Sequence, residues 1–461
     1  MKVAFFSPMP PERTGVAHYA SMLVPALRER MDVEVMTSDN RQPTTDNRIY
    51  QLGNNPHHAW IYREAMKTPG VIVLHDVVLH HLIVEMTLAR GDAEGYVEAM
   101  RANHGEMGAA SARGRIAGLH DEIANFLMPA SIDIANRSRA VIVHNRWAAE
   151  RLQSFGVRTP IFVVPHPYRP RATSSVPGPR SSVGFFGFMT SAKRAEVVLE
   201  AFRVARARDP RVRLLIVGEA APNIQVPRGE GITVAGYVAD DEFDAYYDKV
   251  DRLVNLRYPS AGETSGTLIR AFDAGKPVAV SDYAQFAELP DDVVTKIPFG
   301  PDEVERLAEF FVRALPPVAG AQRRWLEQNA RIDLTVEGYL EAIHSDGKRS
   351  ESSGVAAALQ IFPKVSVRWD GETLTLRNEG ETTIRAGEYG QPAYRAVIKL
   401  FDGDRQIADR WLAVPRDLAP GEEAAIALRS SATRLTLTHA LQDVPLLDET
   451  PAAEVELGRV R

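Results

Sequence analysis

The chain has 461 residues, 45% of them apolar and 25% charged, which suits a soluble globular protein of two or three domains. It contains no cysteine, which excludes a disulfide framework, a thiolate metal site and a cysteine nucleophile. The formal net charge of -6 argues against a nucleic-acid scaffold, which is normally basic, so no nucleic-acid partner is expected.

The opening "MKVAFF" reaches Ser7 and Pro8 before any long apolar region forms, so it reads as a first strand and not as a leader. No apolar run reaches the roughly 18 residues of a membrane span. The nearest, "GVIVLHDVVLHHLIVEM", carries three histidines, Asp76 and Glu85. The expected location is cytoplasmic, with at most peripheral contact at the inner face of the cell membrane. From there "KVAFFS", "DVEVMT", "RIYQLG", "VIVLH", "AVIVHN" and "IFVVP" read as strands, with helices over 16–29, 57–67, 77–90 and 146–155. Such alternation gives a parallel sheet with helices on both faces, and the apolar strands suit burial on both sides.

"YRPRATSSVPGPRSS", residues 168–182, breaks the pattern as a linker. Strand and helix signals then resume with "SVGFFGF", "VRLLIVG", "ITVAGY" and "RLVNL" and continue to about 345. "HSDGKRSESSG", residues 344–354, is a second linker, after which the period changes to two. Asp370-Gly371 and Asp402-Gly403 sit between alternating runs as hairpin turns. The expected organisation is therefore 1–170 and 171–345 as two doubly wound Rossmann-like α/β domains. An antiparallel β-sandwich over 357–461 follows, with no catalytic constellation; Trp369 and Trp411 read as core, and the domain offers a surface for oligomerisation or glycan binding.

One stretch stands out, "RYPSAGETSGTLIRAFDAGKPVAVSD", residues 257–282. It reads as a polar turn opening a helix, after the strand "RLVNL". Ligands of doubly wound sheets bind beyond the carboxyl ends of the strands, and helix N-termini attract phosphate. Thr264 and Ser265 are candidate caps, and Gly266 lacks the Cβ that would block a phosphate. Glu263 repels an anion unless it accepts hydrogen bonds from something else, and sugar hydroxyls are natural donors. Capping by Glu263 is the plainer alternative. Elsewhere on the same edge lie Gly187, with Lys193 and Arg194 at the next helix mouth, then Gly218, and then Gly236, Tyr237 and Val238 as a backbone rung for a flat base.

"FGFMTSAKR", "LLIVGEA", "VAGYVADDEFDAYYDKVDRLVNL" and "GETSGTLIRAFDAGKPVAVSD" together resemble the donor half of the family-4 retaining glycosyltransferases of GT-B fold. "FFSPMPPERTGVAHYASMLVPAL" resembles their N-terminal opening, and the resemblance spans roughly 1–345. It implies a nucleotide-sugar in the cleft between the two α/β domains, with no cofactor and no metal. Lys193 matches the lysine on the donor pyrophosphate. Glu263 resembles the first glutamate of a paired motif that contacts the donor sugar. Thr264, Ser265 and Gly266 match the turn whose amides approach sugar and phosphates. Gly15 resembles the glycine approaching the diphosphate from the first domain, and His75 the strand-end histidine near sugar or acceptor; a core histidine is its plainer reading. The resemblance implies a glycan, lipid-linked or small-molecule acceptor bound by the first domain.

Two positions depart from the family. Phe188 stands where an arginine is usual, with Arg194 as the candidate replacement. Arg270 stands at the second glutamate, and arginine only donates hydrogen bonds. Either Glu263 has a shifted role, or Arg257 and Arg270 face the phosphates. His75, Asp76, His80, His81 and Glu85 include i,i+4 pairs, but no second cluster supports a metal. Residues 85–125 read as a long helical insertion; its 85–116 part holds five acidic and four basic residues, unlike a basic membrane-docking face. Arg101, His104, Arg113 and Arg115 are candidate acceptor contacts or a solvated surface. A nucleotide-sugar epimerase or hydrolase, and a non-catalytic sugar-nucleotide binder, are the alternatives from other classes.

Overall fold

The computed structural model describes residues 1–170 except 13, 40, 41 and 121; 182–345 except 228, 230 and 301; 347; and 364–456 except 381, 382, 385, 387–394, 442, 443 and 446–452. Most of the linker stretches 168–182 and 344–354, and the side chain of Trp411, lie outside the described residues.

The first sheet contains β1 (Lys2–Phe6), β2 (Asp32–Met36), β3 (Arg48–Leu52), β4 (Val71–Leu74), β5 (Ala140–Val143) and β6 (Ile161–Val163), in the order β2-β1-β3-β4-β5-β6 and all parallel. Alternate residues feed two cores. Ala4, Phe6, Ile72, Leu74, Val141 and Val143 pack on one face, and Val3, Phe5, Val71, Val73, Ala140 and Ile142 on the other. That is the period-two consequence of a strand covered on both sides.

The second sheet contains β7 (Ser182–Phe186), β8 (Arg213–Val217), β9 (Ile232–Gly236), β10 (Arg252–Asn255), β11 (Val278–Ser281) and β12 (Thr295–Ile297), in the order β12-β11-β10-β7-β8-β9, also parallel. Its two faces separate in the same way, Phe185 and Ile216 on one and Phe186 and Val217 on the other. These are two Rossmann-like, doubly wound layers. The short strand β12, "TKI", carries no sequence signal of its own.

The helix Ile332–His344 departs from the expected division of the chain at 345. Its Val336, Tyr339, Ala342 and Ile343 sit in the first domain's core with Tyr19 and Leu23. The Tyr339 hydroxyl meets that of Tyr19 at 2.9 Å, and the Thr335 hydroxyl donates to the Pro165 carbonyl at 2.9 Å. The apolar face of this helix matches the first sheet's helix layer, so it crosses back rather than finishing the second domain.

The 85–125 region is not one helix. It contains His80–Met86, then Ala93–Ile116 interrupted at Gly105, whose φ of 65° is non-helical, then Ile123–Leu127. Nor is its surface fully solvated. His104 is buried and accepts from the Ala130 amide at 3.1 Å, Arg101 pairs with Glu98 and Glu106, and Arg115 bonds His120 and Asn125.

The C-terminal region has β13 (Val365–Trp369), β14 (Thr373–Asn378), β15 (Arg395–Asp402), β16 (Arg405–Ala413), β17 (Glu423–Ala427), β18 (Arg434–Leu441), β19 (Val444–Pro445) and β20 (Ala453–Glu456). They form two antiparallel sheets, β13-β14-β17 and β16-β15-β18-β19 with β20 on β18. Both expected hairpins are present, with Gly371 at φ 95° and Gly403 at φ 58°. Trp369 is buried in the core common to the two sheets and donates its indole N–H to the Leu428 carbonyl at 2.9 Å. Among the described residues no helix is long and apolar enough to cross a membrane.

Candidate active site

The carboxyl ends of the two parallel sheets meet through the loop that follows β10. The Val77 amide donates to the Ala261 carbonyl at 2.7 Å, and Asn145 Nδ2 donates to the Gly262 carbonyl at 2.8 Å. Asn145 also caps its own helix, accepting from the Ala148 amide at 2.8 Å, so one side chain starts a first-domain helix and holds the second-domain loop. Gly262 has φ 78°, and a Cβ there would press on Val77 and Trp147 at 3.0 and 3.1 Å.

Within that loop Ser265 is the N-cap of the helix Gly266–Asp273, its hydroxyl accepting from the Leu268 amide at 3.3 Å. Glu263 does not cap the helix. Its carboxylate accepts from Arg257 Nε at 2.7 Å and from the Ala261 amide at 3.1 Å. Thr264 is partly buried, and Gly266 is exposed with open space where a Cβ would stand. The helix mouth is thus an accessible row of amides with an anchored carboxylate beside it.

The β7 turn supplies the cation. Gly187 has φ 86°, a backbone conformation that favours glycine, and Lys193 Nζ lies 2.9 Å from where a Cβ would stand. The half-buried Lys193 is pushed down to about 7 by burial and by the nearby Arg257, against the pull of Glu263. Gly218, φ 139°, leaves room for the Gly187 carbonyl, which a Cβ would meet at 2.4 Å, and bridges to Gly236. Gly236 and Gly15 both face open space, Tyr237 is exposed, and Val238 packs on the core.

The Lys193–Arg194 pair expected at this mouth is split. The Arg194 guanidinium forms an ion pair with Glu303, which is only 3% exposed, and lies over Tyr258 and Phe299. It therefore does not simply replace the arginine absent at Phe188, which is itself exposed. Arg257 is committed to Glu263. Arg270 lies 3.3 Å from Asp244 and donates to His18 Nε2 at 3.0 Å, joining the two domains.

His75 sits in a stack with Tyr19, His144 and His166, its ring centroid 4.7 Å from Tyr19 and 5.1 Å from His144. Its Nε2 bonds Gln51 Oε1 at 2.7 Å. Its neighbour Asp76 accepts from the Asn54 amide at 2.8 Å, and burial, with the charge of Glu263, pushes it up to about 7. His80 is buried between the Met128 carbonyl and the Tyr96 hydroxyl, both at 2.6 Å, and among the described residues no group of three metal-ligating side chains occurs. The sequence marked Asp76 by its place beside His75 and its i,i+4 spacing to His80; Asn145, Asp244 and Glu303 carried no such signal.

Burial holds these rings neutral: His144 and His58 fall to about 4, His166, His80 and His104 to about 3, and His75 well below its ordinary value. The unfolded chain, titrating near 6.5, then binds more protons than the folded one as the pH falls below that value. Stability is complete above about pH 6.5 and is lost on acidification towards pH 4, by up to about 1.4 kcal/mol per unit for each ring. Thermal unfolding followed by circular dichroism should show a level Tm near neutrality and a steep fall below about pH 6. A Tm unchanged down to about pH 4 would contradict neutral burial of these rings.

Residues 180–316 match the family model described as glycosyl transferases group 1. That segment contains Gly187, Lys193, Gly218, Gly236, Arg257, Glu263 and Arg270. No curated protein matches the chain. Similar solved structures include S. aureus TarM, as a variant in complex with fondaparinux, alpha-GlcNAc-glycerol and UDP (13% identity, 65% of this chain and 56% of that one, TM-score 0.47). Anabaena Alr3699/HepE in complex with UDP and glucose is another (14%, 75% and 100%, 0.48). A third is AviGT4, a glycosyltransferase involved in avilamycin A biosynthesis (14%, 76% and 100%, 0.45). The chain thus spans 56% of the length of the TarM chain.

Proposed function

We propose that this protein is a retaining, metal-independent glycosyltransferase that moves a sugar from a nucleotide-diphosphate sugar to a glycan, lipid-linked or small-molecule acceptor. The observation that carries this reading is the convergence of Lys193, the open helix mouth at Gly266 and the Arg257-anchored Glu263 on one sheet edge, facing the first domain. The group 1 match over the same residues supports it.

Breaking the anomeric bond builds negative charge on the leaving diphosphate. Lys193 and the amides at Gly266 are placed to stabilise that charge, which is worth most where it develops. Glu263, fixed by Arg257 and by an amide of its own loop, offers its remaining acceptor capacity to sugar hydroxyls. The acceptor enters from the first domain, attacks from the face the diphosphate leaves, and gives its proton to the departing phosphate. The interdomain bonds through Ala261 and Gly262 close the site and limit hydrolysis.

The test is a thermal-shift panel of UDP, GDP, ADP and their sugars without added metal, followed by an acceptor screen with the donor that binds. Stabilisation by one base class and a product that keeps the anomeric configuration by NMR are expected. An inverted product would remove the retaining mechanism, and stabilisation by none of the panel would remove the transferase reading.

A further inference from the structure

We propose that the cavity around Arg151 and Tyr283, at the boundary of the two α/β domains, is an oxyanion subsite for the acceptor, so that the acceptor bears a carboxylate or a phosphate ester beside an apolar or aromatic body. The acceptor role rests on the transferase reading above; the binding of an aromatic oxyanion in the cavity stands on the geometry alone.

Both domains build this cavity. The first supplies Val77 after β4, Phe126 from the helix Ile123–Leu127, and Trp147 and Arg151 from the helix Arg146–Ser154. Trp147 and Arg151 are four residues apart, so one helix face carries both. The second supplies Tyr258, after β10, and Tyr283, after β11. Their rings continue as a wall across the boundary, with centroids 6.5 Å apart for Trp147 and Tyr283 and 5.4 Å apart for Tyr283 and Tyr258. Ser260 also lines the cavity. Its hydroxyl accepts from the Gly262 amide at 3.0 Å and donates to Gln285 Oε1 at 2.7 Å, and Gln285 Nε2 donates to the Glu263 carbonyl at 2.9 Å. The cavity wall and Glu263 therefore belong to one loop.

Arg151 carries the one formal charge among the described lining residues, and that charge is uncommitted. Elsewhere along this boundary Arg194 is paired with Glu303, Arg257 with Glu263 and Arg270 with Asp244. The half-buried Arg151 guanidinium makes no hydrogen bond and no ion pair among the described residues. It lies 4.4 Å from the centroid of the Phe155 ring, a face that offers no lone pair to five N–H donors. Glu288, which reaches the start of the same helix from the second domain, is occupied by the Arg146 and Trp147 amides.

The phenol of Tyr283 also has no hydrogen bond among the described residues. Burial raises it above its ordinary value against the pull of Arg151, which keeps it a protonated donor. The same burial lowers Arg151, the mark of a cation that has lost water without gaining a counter-charge. Two donors thus line a cavity of rings and aliphatic side chains that contains no carboxylate. Polar groups in such surroundings are normally satisfied, and the missing partner here is an anion. A carboxylate or phosphate accepts from both donors, and an apolar body attached to it meets the aromatic wall. A neutral acceptor leaves the guanidinium unpaired.

The experiment is isothermal titration of the full chain with benzoate, phenyl phosphate and neutral benzyl alcohol, on wild type, Arg151→Gln, Tyr283→Phe and Lys193→Ala. Wild type should bind at least one of the anions about tenfold more tightly than benzyl alcohol. A preference for benzoate assigns a carboxylate, and a preference for phenyl phosphate a phosphate ester. Arg151→Gln should remove that advantage. Tyr283→Phe, which keeps the ring, should lose about three- to tenfold, and it tests the same cavity should Arg151→Gln fail to fold. Lys193→Ala should leave anion binding intact, which separates the cavity from the donor phosphate site. Equal wild-type affinity for the anions and benzyl alcohol, binding undiminished in Arg151→Gln or Tyr283→Phe, or binding lost in Lys193→Ala overturns the inference and leaves the donor reading standing. Nucleoside diphosphate titrated in parallel should bind wild type, Arg151→Gln and Tyr283→Phe alike. If wild type binds none, the transferase reading falls and the acceptor role with it, whatever the probes show at the cavity.

Discussion

Lys193→Ala should abolish most nucleoside-diphosphate binding, by about 10- to 100-fold, the usual range for a lost charge-assisted contact with phosphate. The side chain reaches Gly187, whose φ of 86° favours glycine. Unlike Arg194 and Arg257 it makes no ion pair among the described residues, so its charge is available to a ligand. Its lowered position near 7 gives the pH dependence. Above about pH 7 the free lysine is increasingly neutral and must take up a proton when phosphate binds, so affinity should fall by up to about tenfold per unit. Titration of UDP, GDP and ADP at two pH values, on wild type and variant, checks both points. Retained binding in Lys193→Ala would move the phosphate site elsewhere.

Tyr339→Ala should destabilise the first domain by about 3–5 kcal/mol, as expected for deleting a fully buried aromatic side chain. Tyr339 is 0% exposed, lies 320 residues from Tyr19 in the chain, and shares a hydrogen bond with it. Its hydroxyl also accepts from Gln51 Nε2 at 3.1 Å, and Gln51 orients His75. Tyr339→Phe keeps the ring and removes only the hydroxyl bonds, so about 1 kcal/mol is expected. Urea unfolding of the full chain separates the two variants. A similar, small loss in both would show that the crossing helix contributes little to the first core.

The two α/β units were legible because their signals are local. Strands such as "VIVLH" and "RLLIVG" are apolar throughout, and each is followed by polar turns and helical spacing. Asp370-Gly371 and Asp402-Gly403 marked hairpins because only certain residues accept such turns. In the 85–125 insertion the helical pattern was readable, but the break at Gly105 was not, since an isolated glycine within a helical pattern is usually tolerated. The short edge strand β12 was missed because three residues carry too little pattern.

At the site, the residue types were readable and their partners were not. Glycine at 187, a lysine at the next helix mouth, and the Glu263–Gly266 turn are dictated by backbone conformation and helix-end chemistry within a few residues. Which cation serves which anion depends on packing between segments far apart in the chain. Arg194 and Glu303 are 109 residues apart, and Asn145 and Gly262 are 117 apart. The sequence by itself determined the paired Rossmann-like architecture, the glycine-ended strand β7 with a lysine at the next helix mouth, and the absence of thiol chemistry, since periodicity, glycine placement and composition are local properties. Only the tertiary structure decided that Arg194 belongs to Glu303, that Arg257 holds Glu263, that His75 is packed among rings while Asp76 bonds the Asn54 amide, and that the helix Ile332–His344 completes the first core. Those outcomes follow from burial, which leaves a charge or an apolar face stable only against the partner that the folded chain brings to it.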